Sequence, residues 1–406
     1  MGTSDFIEGE WEQGWHSSDK LICPGCVREA CLKAIVADAV LDGQLCDFCG
    51  SAPAADFDVF MEAFMVGVKN KFEQADDASM PWEGGYVFDS EIILGWDLPD
   101  QFDPLGAGEH DGEVIEEIRA CLIIDKAYVS RWWIELEPEK AYSSAWEAFR
   151  EQILHRTRFV FWALADTDEY LGAGEVAVSR VLGSIAALVE KFELITELPE
   201  GTFTYRARGH EQRDDSERWT AADLGTNRPK NSLSSTRMSP AGIPLFYGAD
   251  DVETALAEIS RADSREYFTV AHFMTTAPMK VLDFTHVPAV PSIFDPELGY
   301  WWGEIVFLND LVEELRQPVE PHRSNLDYVP TQVFSEYFLR VFDEANVHGL
   351  LWKSAVEASG RGCVALDIPH EDCLDVAEGI ADRPQLVLVS GQTTVHRRRT
   401  DEFRQL

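Results

Sequence analysis

The chain has 406 residues, which is too long for one ordinary domain, so two or three domains are expected. Its 34 basic and 72 acidic residues give a net charge of −38, which repels anionic membranes and disfavours a nucleic-acid partner. No apolar run approaches the roughly eighteen residues of a membrane span, and the acidic start of the chain does not resemble a signal peptide. We therefore expect a cytoplasmic protein that does not contact a membrane.

Two Cys-x2-Cys pairs near the start of the chain have the spacing of a metal site. Cys23 and Cys26 form the first pair, Cys46 and Cys49 form the second, and nineteen residues lie between the two pairs. Four thiolates at this spacing can converge on one tetrahedral zinc ion. Disulfide bonds are the alternative, which the expected reducing compartment disfavours. Four thiolates leave no coordination position open, so the sequence predicts a structural zinc ion within residues 1–53.

Four amphipathic helices are predicted between the cysteine pairs and the middle of the chain. The apolar residues of Phe57–Phe72 recur every three or four positions, and those of Val114–Ile123 follow a similar pattern. A third helix is predicted over Ala145–Leu164 and a fourth over Val181–Phe192. These patterns predict a helical bundle over residues 54–199.

A strand predicted over Thr202–Arg208 opens the second half of the chain. Its residues alternate between two faces, so Tyr205 and Arg206 are expected on opposite sides. An arginine inside a strand is usually paired or faces solvent, but its planar fork of donors also suits a phosphate group. Arg206 is therefore a candidate for binding a phosphorylated ligand.

The next stretch combines an arginine, a turn, a strand and an acidic helix. Arg237 precedes a tight turn at Ser239–Gly242, and a buried strand is predicted over Ile243–Tyr247. An aspartate can cap the helix that is predicted over Val252–Ala262. On that helix small residues surround the carboxylate of Glu258, which predicts a surface that another molecule approaches closely.

Ser354 follows a strand that is predicted over Leu350–Trp352. A serine at the end of a strand commonly caps the next turn. No histidine base accompanies it, so binding or orienting a ligand is favoured over a role as nucleophile. Near the C-terminus, the basic run His396–Arg399 is interpreted as a solvated tail.

Together these segments resemble the RES domain, a family named for its Arg, Glu and Ser residues. The resemblance extends from Thr202 to Leu366, about half of the chain, and its segments stand in the order of the family. The segments are Phe203–Gly209, Thr236–Ile259, Leu282–Asp295, Tyr328–Phe338 and His348–Leu366. Members of this family include the toxins of Xre–RES toxin–antitoxin pairs, so the resemblance leaves an antitoxin partner open.

The helical region resembles the all-helical N-terminal domain that is attached to some RES proteins and classed with the HEPN superfamily. Many HEPN ribonucleases use an Arg-x4–6-His pair, and Arg150 with His155 fits that spacing. Such a pair arises readily by chance, and the charge of the chain disfavours RNA. A scaffolding bundle, or one that forms a homo-oligomer, is therefore the favoured interpretation.

The resemblance implies that NAD+ is the substrate. In the family the first arginine, matched by Arg206, holds its pyrophosphate, and the second, matched by Arg237, acts as a second phosphate clamp or contacts the nicotinamide ribose. The glutamate stabilises the oxocarbenium-like ribose that forms as the bond to nicotinamide breaks. The implied catalytic residues are Arg206, Arg237, Glu258 and Ser354. The implied NAD+-binding residues are Tyr205, Arg206, Arg237, Tyr247 and Ser354. Ser354 is assigned to orienting a ribose or nicotinamide group.

The resemblance also implies an α+β protein whose RES domain, residues 200–406, is similar in fold to ADP-ribosyltransferases. A zinc module (1–53) and a helical HEPN-like domain (54–199) precede it. Transfer of the ADP-ribose to inorganic phosphate would make the chain an NAD+ phosphorylase, and transfer to water would make it an NAD+ glycohydrolase. Either enzyme would deplete NAD+, as a toxin or defence effector does. Transfer to a protein side chain would instead make it an ADP-ribosyltransferase.

Two rival interpretations belong to other classes of protein. One is a catalytically silent binding protein that uses its zinc module and helices to contact a partner. The other is a HEPN-type ribonuclease with an accessory C-terminal domain. One departure from the family lies in the second motif, where Met238 follows Arg237 and the family has a tryptophan. The stacking partner at this point is therefore unassigned.

Overall fold

A computed structural model describes residues 9–78, 91–102, 105–106, 108–163, 172–317, 319, 322–342, 346–354, 362–376, 383–399 and 402–405. Packing divides the chain into two compact units. The first comprises Met1–Lys140 with Ala289–Val306, and the second comprises Ala141–Pro288 with Phe307–Leu406. The predicted division at residues 53 and 199 stays a prediction, because a unit defined by packing need not coincide with a module of the sequence.

The helices named below are α1 (Ala30–Asp38), α2 (Phe57–Lys71), α3 (Asp111–Cys121), α4 (Pro138–His155), α5 (Val181–Lys191), α6 (Ala221–Leu224), α7 (Val252–Ala262), α8 (Trp302–Arg316), α9 (Ser324–Asp327) and α10 (Val329–Arg340). The strands are β1 (Leu21–Ile22), β2 (Ala55–Asp56), β3 (Phe72–Gln74), β4 (Ile93–Leu94), β5 (Ala127–Ser130), β6 (Ile195–Leu198), β7 (Phe203–His210), β8 (Phe246–Ala249), β9 (Tyr267–Thr275), β10 (Met279–Asp283), β11 (Gly349–Lys353), β12 (Gly362–Leu366), β13 (Cys373–Leu374), β14 (Leu386–Leu388), β15 (Thr394–Arg399) and β16 (Glu402–Gln405). Among the described residues, none of the helices combines the length and the apolar character that crossing a membrane requires.

The first unit contains α2, whose apolar face is fully buried. Phe57, Phe60, Phe64 and Val68 recur every three or four residues and expose no surface. The predicted helix is confirmed, but it ends one residue before Phe72, which begins β3. The helices predicted around residues 114–123 and 181–192 are confirmed as α3 and α5.

The prediction of an all-helical region over residues 54–199 is wrong, because a small sheet with strand order β3–β5–β4 lies within it. β5 pairs antiparallel with both neighbours. Its central residues Tyr128 and Val129 are both buried, so the strand lacks the alternation of apolar and polar residues that marks a half-buried strand. A strand of four residues is also too short to be told from a segment of helix by periodicity.

The third predicted helix is displaced along the chain. α4 spans Pro138–His155 rather than Ala145–Leu164. Proline suits the first helical position, because the N–H group that it lacks would have no acceptor within the helix. At the other end, the N–H groups of Arg156 and Thr157 both donate to the Gln152 carbonyl, at 3.0 and 2.8 Å. That double contact ends the helix at His155, so the apolar residues on which the prediction rested (Trp146, Phe149, Ile153 and Leu154) all lie within it, and the predicted end at Leu164 lies outside the described residues.

The second unit is built on one eleven-stranded sheet. Its path is β13–β14–β9–β7–β8–β12–β11–β10–β6, and β15 pairs with β9 and with β16. The pairs β10–β11 and β13–β14 are parallel, and the other pairs are antiparallel. α7 packs on β7, β8, β9 and β12. The mixture of helix and sheet agrees with the predicted α+β class, whereas the likeness to ADP-ribosyltransferases stays a prediction.

Two strands of this unit differ in extent from the sequence prediction. β8 spans Phe246–Ala249 rather than Ile243–Tyr247. Pro244 has no N–H group to donate to a strand partner, so pairing starts after it. Gly248, predicted to end the strand, lies inside it, where a Cβ atom would be 2.1 Å from Thr204 Oγ1. The predicted strands at residues 202–208 and 350–352 are confirmed as β7 and β11.

The basic run near the C-terminus is not a solvated tail. It forms β15, whose backbone pairs with β9 from Thr394 to Arg397. His396 is buried, at 7% exposed. Arg397 forms an ion pair with Glu266. The basic run therefore belongs to the sheet, because its backbone is paired with β9 and the His396 side chain is buried.

Candidate active site

A cavity of about 310 Å³ lies where β7, β8 and β12 meet α7. Its lining is mostly apolar and includes one arginine and one carboxylate. The lining residues are Tyr205, Arg206, Ala207, Thr236, Tyr247, Gly248, Ala249, Ala255, Glu258, Ile259, Trp352 and Cys363. Tyr205 and Arg206, expected on opposite sides of the strand, both contribute to this lining. With Tyr247 and Glu258, four predicted site residues therefore line one cavity.

α7 presents Glu258 to this cavity. The helix begins at Asp251, whose carboxylate accepts from the Thr254 backbone N–H (2.9 Å) and from the Thr254 hydroxyl (2.6 Å). Ala255 and Ile259 flank Glu258 at positions three or one residue away and line the same cavity. The predicted bounds of this helix and its aspartate cap are confirmed.

Two buried side chains donate hydrogen bonds to the Glu258 carboxylate. Ser354 Oγ donates to Oε1 at 2.6 Å, and Cys363 Sγ lies 3.5 Å from the same oxygen. Burial raises the pKa of the Cys363 thiol, and the neighbouring Glu258 charge raises it further. The thiol therefore stays protonated and serves as a donor. Ser354 is only 1% exposed, and its predicted role in orienting a ribose or nicotinamide group stays a prediction.

Arg206 lines the same cavity from β7. Its Nη1 atom donates to the Tyr247 carbonyl at 3.0 Å, and its guanidinium carbon lies 5.0 Å from the centroid of the Phe246 ring. Burial lowers the pKa of Arg206 to about 10, so the side chain is still charged at neutral pH. Among the described residues its Nε and Nη2 atoms have no hydrogen-bond partner. These donors are available to an anionic ligand.

Tyr247 is held by the segment that precedes β8. Its hydroxyl accepts from the Met238 backbone N–H at 3.0 Å and shares a hydrogen bond of 2.6 Å with Thr236 Oγ1. Burial raises the pKa of this phenol, which stays neutral. The predicted turn after Arg237 is present, with Gly242 at a φ of +89°.

The structure does not bring Arg237 to this cavity. Its Nη1 and Nη2 atoms donate to the carbonyls of Leu315 and Gln317, both at 2.6 Å. These carbonyls stand at the C-terminal end of α8, where backbone groups lack partners within the helix and attract cations. The side chain lines a second cavity of about 1010 Å³, together with Arg150 and His155.

The residues that hold the Arg237 segment in place lie in the stretch Tyr328–Gln332, which sequence reasoning treated only as a weaker candidate without a stated role. Gln332 Nε2 donates to the Thr236 carbonyl at 2.7 Å, and the Thr331 hydroxyl donates to the Arg237 carbonyl. Both belong to α10 and are buried, at 7% and 5% exposed. The sequence signal for this contact is the presence of polar residues on the apolar face of an amphipathic helix. Such residues are buried only when they have hydrogen-bond partners, so their position indicates a contact with another segment.

The end of α8 also contacts the segment that carries Ser354. Arg316 Nη2 donates to the Ser354 carbonyl at 3.2 Å, and Arg316 forms an ion pair with Glu313. One helix end therefore contacts both Arg237 and the serine that donates to Glu258. This link between two motifs distant in sequence could not be inferred from the residues alone.

The Arg-x4-His pair of α4 lies outside the cavity that contains Glu258. Arg150 Nε is 3.0 Å from Glu314 Oε1, and the other oxygen of Glu314 accepts from Trp146 Nε1 at 2.9 Å. His155 is exposed at the end of the helix. Arg150 is thus engaged in a structural ion pair.

The four predicted metal-ligating cysteines converge in the first unit. Their sulfur atoms all lie within 4.8 Å of one another, and none forms a disulfide. Cys23 Sγ lies 3.8 Å from Cys26 Sγ and 3.4 Å from Cys49 Sγ, and Cys46 Sγ lies 3.8 Å from Cys26 Sγ. Sulfur atoms bound tetrahedrally at about 2.3 Å from zinc are separated by about 3.8 Å, so this donor set fits zinc.

Comparison with known families assigns two parts of the chain. Residues 204–387 match the RES domain. Residues 41–167 match HEPN/RES N-terminal domain 1. A search of curated proteins gave no match to this chain. The two resemblances drawn from the sequence are therefore confirmed.

Proposed function

We propose that this chain, which carries a RES domain behind a HEPN/RES N-terminal domain, cleaves the bond between nicotinamide and ribose in NAD+. The RES domain supports an enzyme that acts on NAD+. The observation that carries the proposal is the presence of Arg206 and Glu258 in one cavity, with two buried side chains donating to the carboxylate.

In the proposed reaction the electron pair of the N-glycosidic bond leaves with nicotinamide, which becomes neutral, while positive charge develops on the ribose. A carboxylate beside the ribose stabilises that charge, and Glu258 has this role. Its orientation is fixed before the substrate arrives, because Ser354 and Cys363 donate to the same oxygen. A group that is already oriented loses no free energy to reorganisation in the transition state.

The cavity supports binding of the reacting half of the dinucleotide. Its volume of about 310 Å³ is at the lower end of the range for ligand sites. Tyr205 and Tyr247 provide aromatic surface beside the nicotinamide ribose, and Arg206 provides donors for the pyrophosphate. The clamp role of Arg237 stays a prediction, since its guanidinium must first exchange the carbonyls of α8 for a phosphate.

The acceptor decides the name of the reaction. Capture of the ribose by inorganic phosphate makes a phosphorylase, and capture by water makes a glycohydrolase. Either enzyme would act as an NAD+-depleting toxin or defence effector, which an antitoxin protein would restrain. Transfer to a protein side chain, as in an ADP-ribosyltransferase, is the alternative within the same chemistry.

The test is to incubate purified protein with NAD+, with and without inorganic phosphate, and to identify the products by mass. Nicotinamide should appear in either buffer if water can serve as acceptor. ADP-ribose carrying a phosphate on its reacting ribose carbon should appear only when phosphate is present, and only for a phosphorylase. Intact NAD+ under both conditions, with and without added target protein, would exclude the proposed function.

A structural zinc ion bound by Cys23, Cys26, Cys46 and Cys49 belongs to the same proposal. With four thiolates it would have no position open for substrate, so it would stabilise the first unit and take no part in bond cleavage. The division into modules 1–53, 54–199 and 200–406 is likewise proposed.

A further inference from the structure

The cavity that contains Glu258 adjoins a second and larger cavity. The first, at about 310 Å³, is at the lower end of the range for ligand sites and holds only one half of a dinucleotide. Thr236 lines it, and the next residue, Arg237, lines the second cavity of about 1010 Å³. Burial lowers the pKa of Arg237, whereas Tyr328 and Glu258 act in the opposite direction, so the guanidinium lies within electrostatic reach of Glu258. A ligand held at Glu258 can therefore continue past Arg237 into the second cavity.

One wall of the second cavity is the solvent-facing side of α4. Trp146, Phe149 and Ile153 bury the other side of this helix. Towards the cavity the helix presents a hydroxyl group, two carboxylates, a small residue and an imidazole at intervals of one, three and four residues, so they share one face. Hydrogen-bonding groups around a small residue give a polar ligand room to lie along the helix. These residues are Ser144, Glu147, Ala148, Glu151 and His155.

Two of the three arginines in the described lining of the second cavity are paired with carboxylates of the same lining. Arg150 Nε lies 3.0 Å from Glu314 Oε1, and Arg323 Nε donates to Asp327 Oδ2 at 2.7 Å. Arg237 is held by backbone carbonyls instead, so no carboxylate contact neutralises its charge. A positive charge therefore lies where the two cavities adjoin, which is where the pyrophosphate of a dinucleotide would pass.

Glu147 and Glu151 give the α4 side of the second cavity a negative charge. Glu151 has one ion pair, at 3.8 Å from Arg156, and Glu147 has none among the described residues. Carboxylates accept hydrogen bonds from hydroxyl and amino groups, which are the groups that an adenosine offers. They repel a further phosphate group. The cavity thus combines a positive entrance with a wall of acceptors.

We propose that the second cavity binds the adenosine half of NAD+, with the pyrophosphate beside Arg237 and with Glu147 and Glu151 accepting hydrogen bonds from the ribose hydroxyls or the adenine amino group.

The adenosine site rests on the proposed function, because it extends the site of the same substrate. It makes α4, the helix that carries Arg150 and His155, a part of the substrate site. It also gives the enzyme a preference for NAD+ over NADP+, because the extra phosphate on the adenosine ribose of NADP+ would face Glu147 and Glu151.

Ala148→Trp places a bulky side chain in the second cavity, and Ala187→Trp is the matched control, because Ala187 is also an exposed alanine within a helix of the second unit. Nicotinamide release is measured with NAD+ and with nicotinamide mononucleotide, which lacks the adenosine half. Ala148→Trp should raise KM for NAD+ at least about tenfold and leave KM for the mononucleotide within about twofold of the parent value. Ala187→Trp should behave as the parent protein does with both substrates. Equal KM values for NAD+ in the two tryptophan variants would overturn the proposal.

NADP+ tests the two carboxylates without filling the cavity. In the parent protein kcat/KM should be at least about tenfold lower for NADP+ than for NAD+. A double variant with Glu147→Gln and Glu151→Gln keeps the size of both side chains and should reduce that ratio at least about threefold. A parent protein that cleaves the two dinucleotides equally well, or a double variant that discriminates as the parent does, would overturn the role of the carboxylates.

Calorimetry with ADP separates the adenosine site from the proposed function, because ADP contains adenosine and a diphosphate but no bond to nicotinamide. The parent protein and Ala187→Trp should bind ADP equally, and Ala148→Trp should bind it at least about tenfold more weakly. Protein that binds ADP in this way but never releases nicotinamide would contradict the proposed function and leave the adenosine site standing. Protein that releases nicotinamide from NAD+ but does not bind ADP would overturn the adenosine site and leave the proposed function standing.

Discussion

At Glu258 the geometry depends on two neutral donors rather than on a cation. Ser354 and Cys363 both donate to Oε1 of Glu258, and both side chains are buried. Sequence reasoning proposed both Glu258 and Ser354 as site residues and assigned the serine to orienting a ligand, which stays a prediction; the hydrogen bond from Ser354 to Glu258 is an addition from the structure. The sequence predicts only that Cys363, an isolated cysteine, is a small buried hydrophobic residue. Its contact with Glu258 forms between segments more than a hundred residues apart, so a single cysteine in the sequence does not reveal it.

Removal of the serine donor should reduce turnover. Ser354→Ala leaves Glu258 with the thiol alone, and a hydrogen bond to a charged group contributes about 1.5–3 kcal/mol. The value of kcat for NAD+ should fall between about tenfold and about a hundredfold, with little change in KM, because the carboxylate acts on charge that develops during bond cleavage. Cys363→Ala should have a smaller effect in the same direction. An unchanged kcat for Ser354→Ala would show that the contact does not orient Glu258.

Replacement of Arg206 and replacement of Arg237 should have different effects on the kinetics of NAD+ cleavage. Arg206→Ala should raise KM for NAD+ strongly and remove the preference for NAD+ over nicotinamide mononucleotide, which lacks the pyrophosphate. Arg237→Ala should raise KM less, because both of its terminal nitrogens donate to α8, and it should also lower the melting temperature. Steady-state kinetics on both substrates and thermal unfolding measure these effects. Full discrimination between the substrates by Arg206→Ala would place the phosphate site elsewhere.

At the scale of elements, prediction succeeded where one periodic pattern determined one element. α7 has the predicted bounds, because an aspartate cap and a 3.6-residue pattern agree there. It failed where pairing or packing decided the outcome. β3–β5 were missed because strands of two to four residues are too short to show alternation, and β15 was missed because its partner strand β9 lies more than a hundred residues away. The position of Arg237 on the end of α8 depends on tertiary structure in the same way.

His348, which precedes β11, should make the protein sensitive to acid. Burial lowers its pKa, and its Nδ1 atom has no hydrogen-bond partner among the described residues. The unfolded chain binds the proton first, near pH 6.5, so this contribution to stability is present above that pH and is lost as the pH falls further. His348→Gln should therefore lose less free energy of unfolding between about pH 7.5 and about pH 5.5 than the parent protein does.

Urea unfolding at the two pH values measures this difference, and His155→Gln at an exposed position is the control. The control should behave as the parent protein does. A His348→Gln protein with the same pH dependence as the parent would assign the acid sensitivity to other groups, such as His396, whose pKa burial also lowers.

At the scale of the whole molecule, the chemistry and the metal site are separable. The cysteine cluster lies in the first unit and the cavity with Glu258 in the second. Elemental analysis should find about one zinc ion per chain, and a chelator should destabilise the first unit, in whose core Cys23, Cys26 and Cys46 are buried. Nicotinamide release should persist after chelation. Protein purified under reducing conditions without zinc would refute the metal assignment.

The release of nicotinamide by the parent protein and by Glu258→Gln tests the central claim most directly. Glutamine preserves the shape of the side chain but removes the charge that stabilises the ribose cation. We expect the parent protein to release nicotinamide and the variant to lose most of that rate, with unchanged circular dichroism and melting temperature. A Glu258→Gln protein that cleaves NAD+ as fast as the parent would contradict the account.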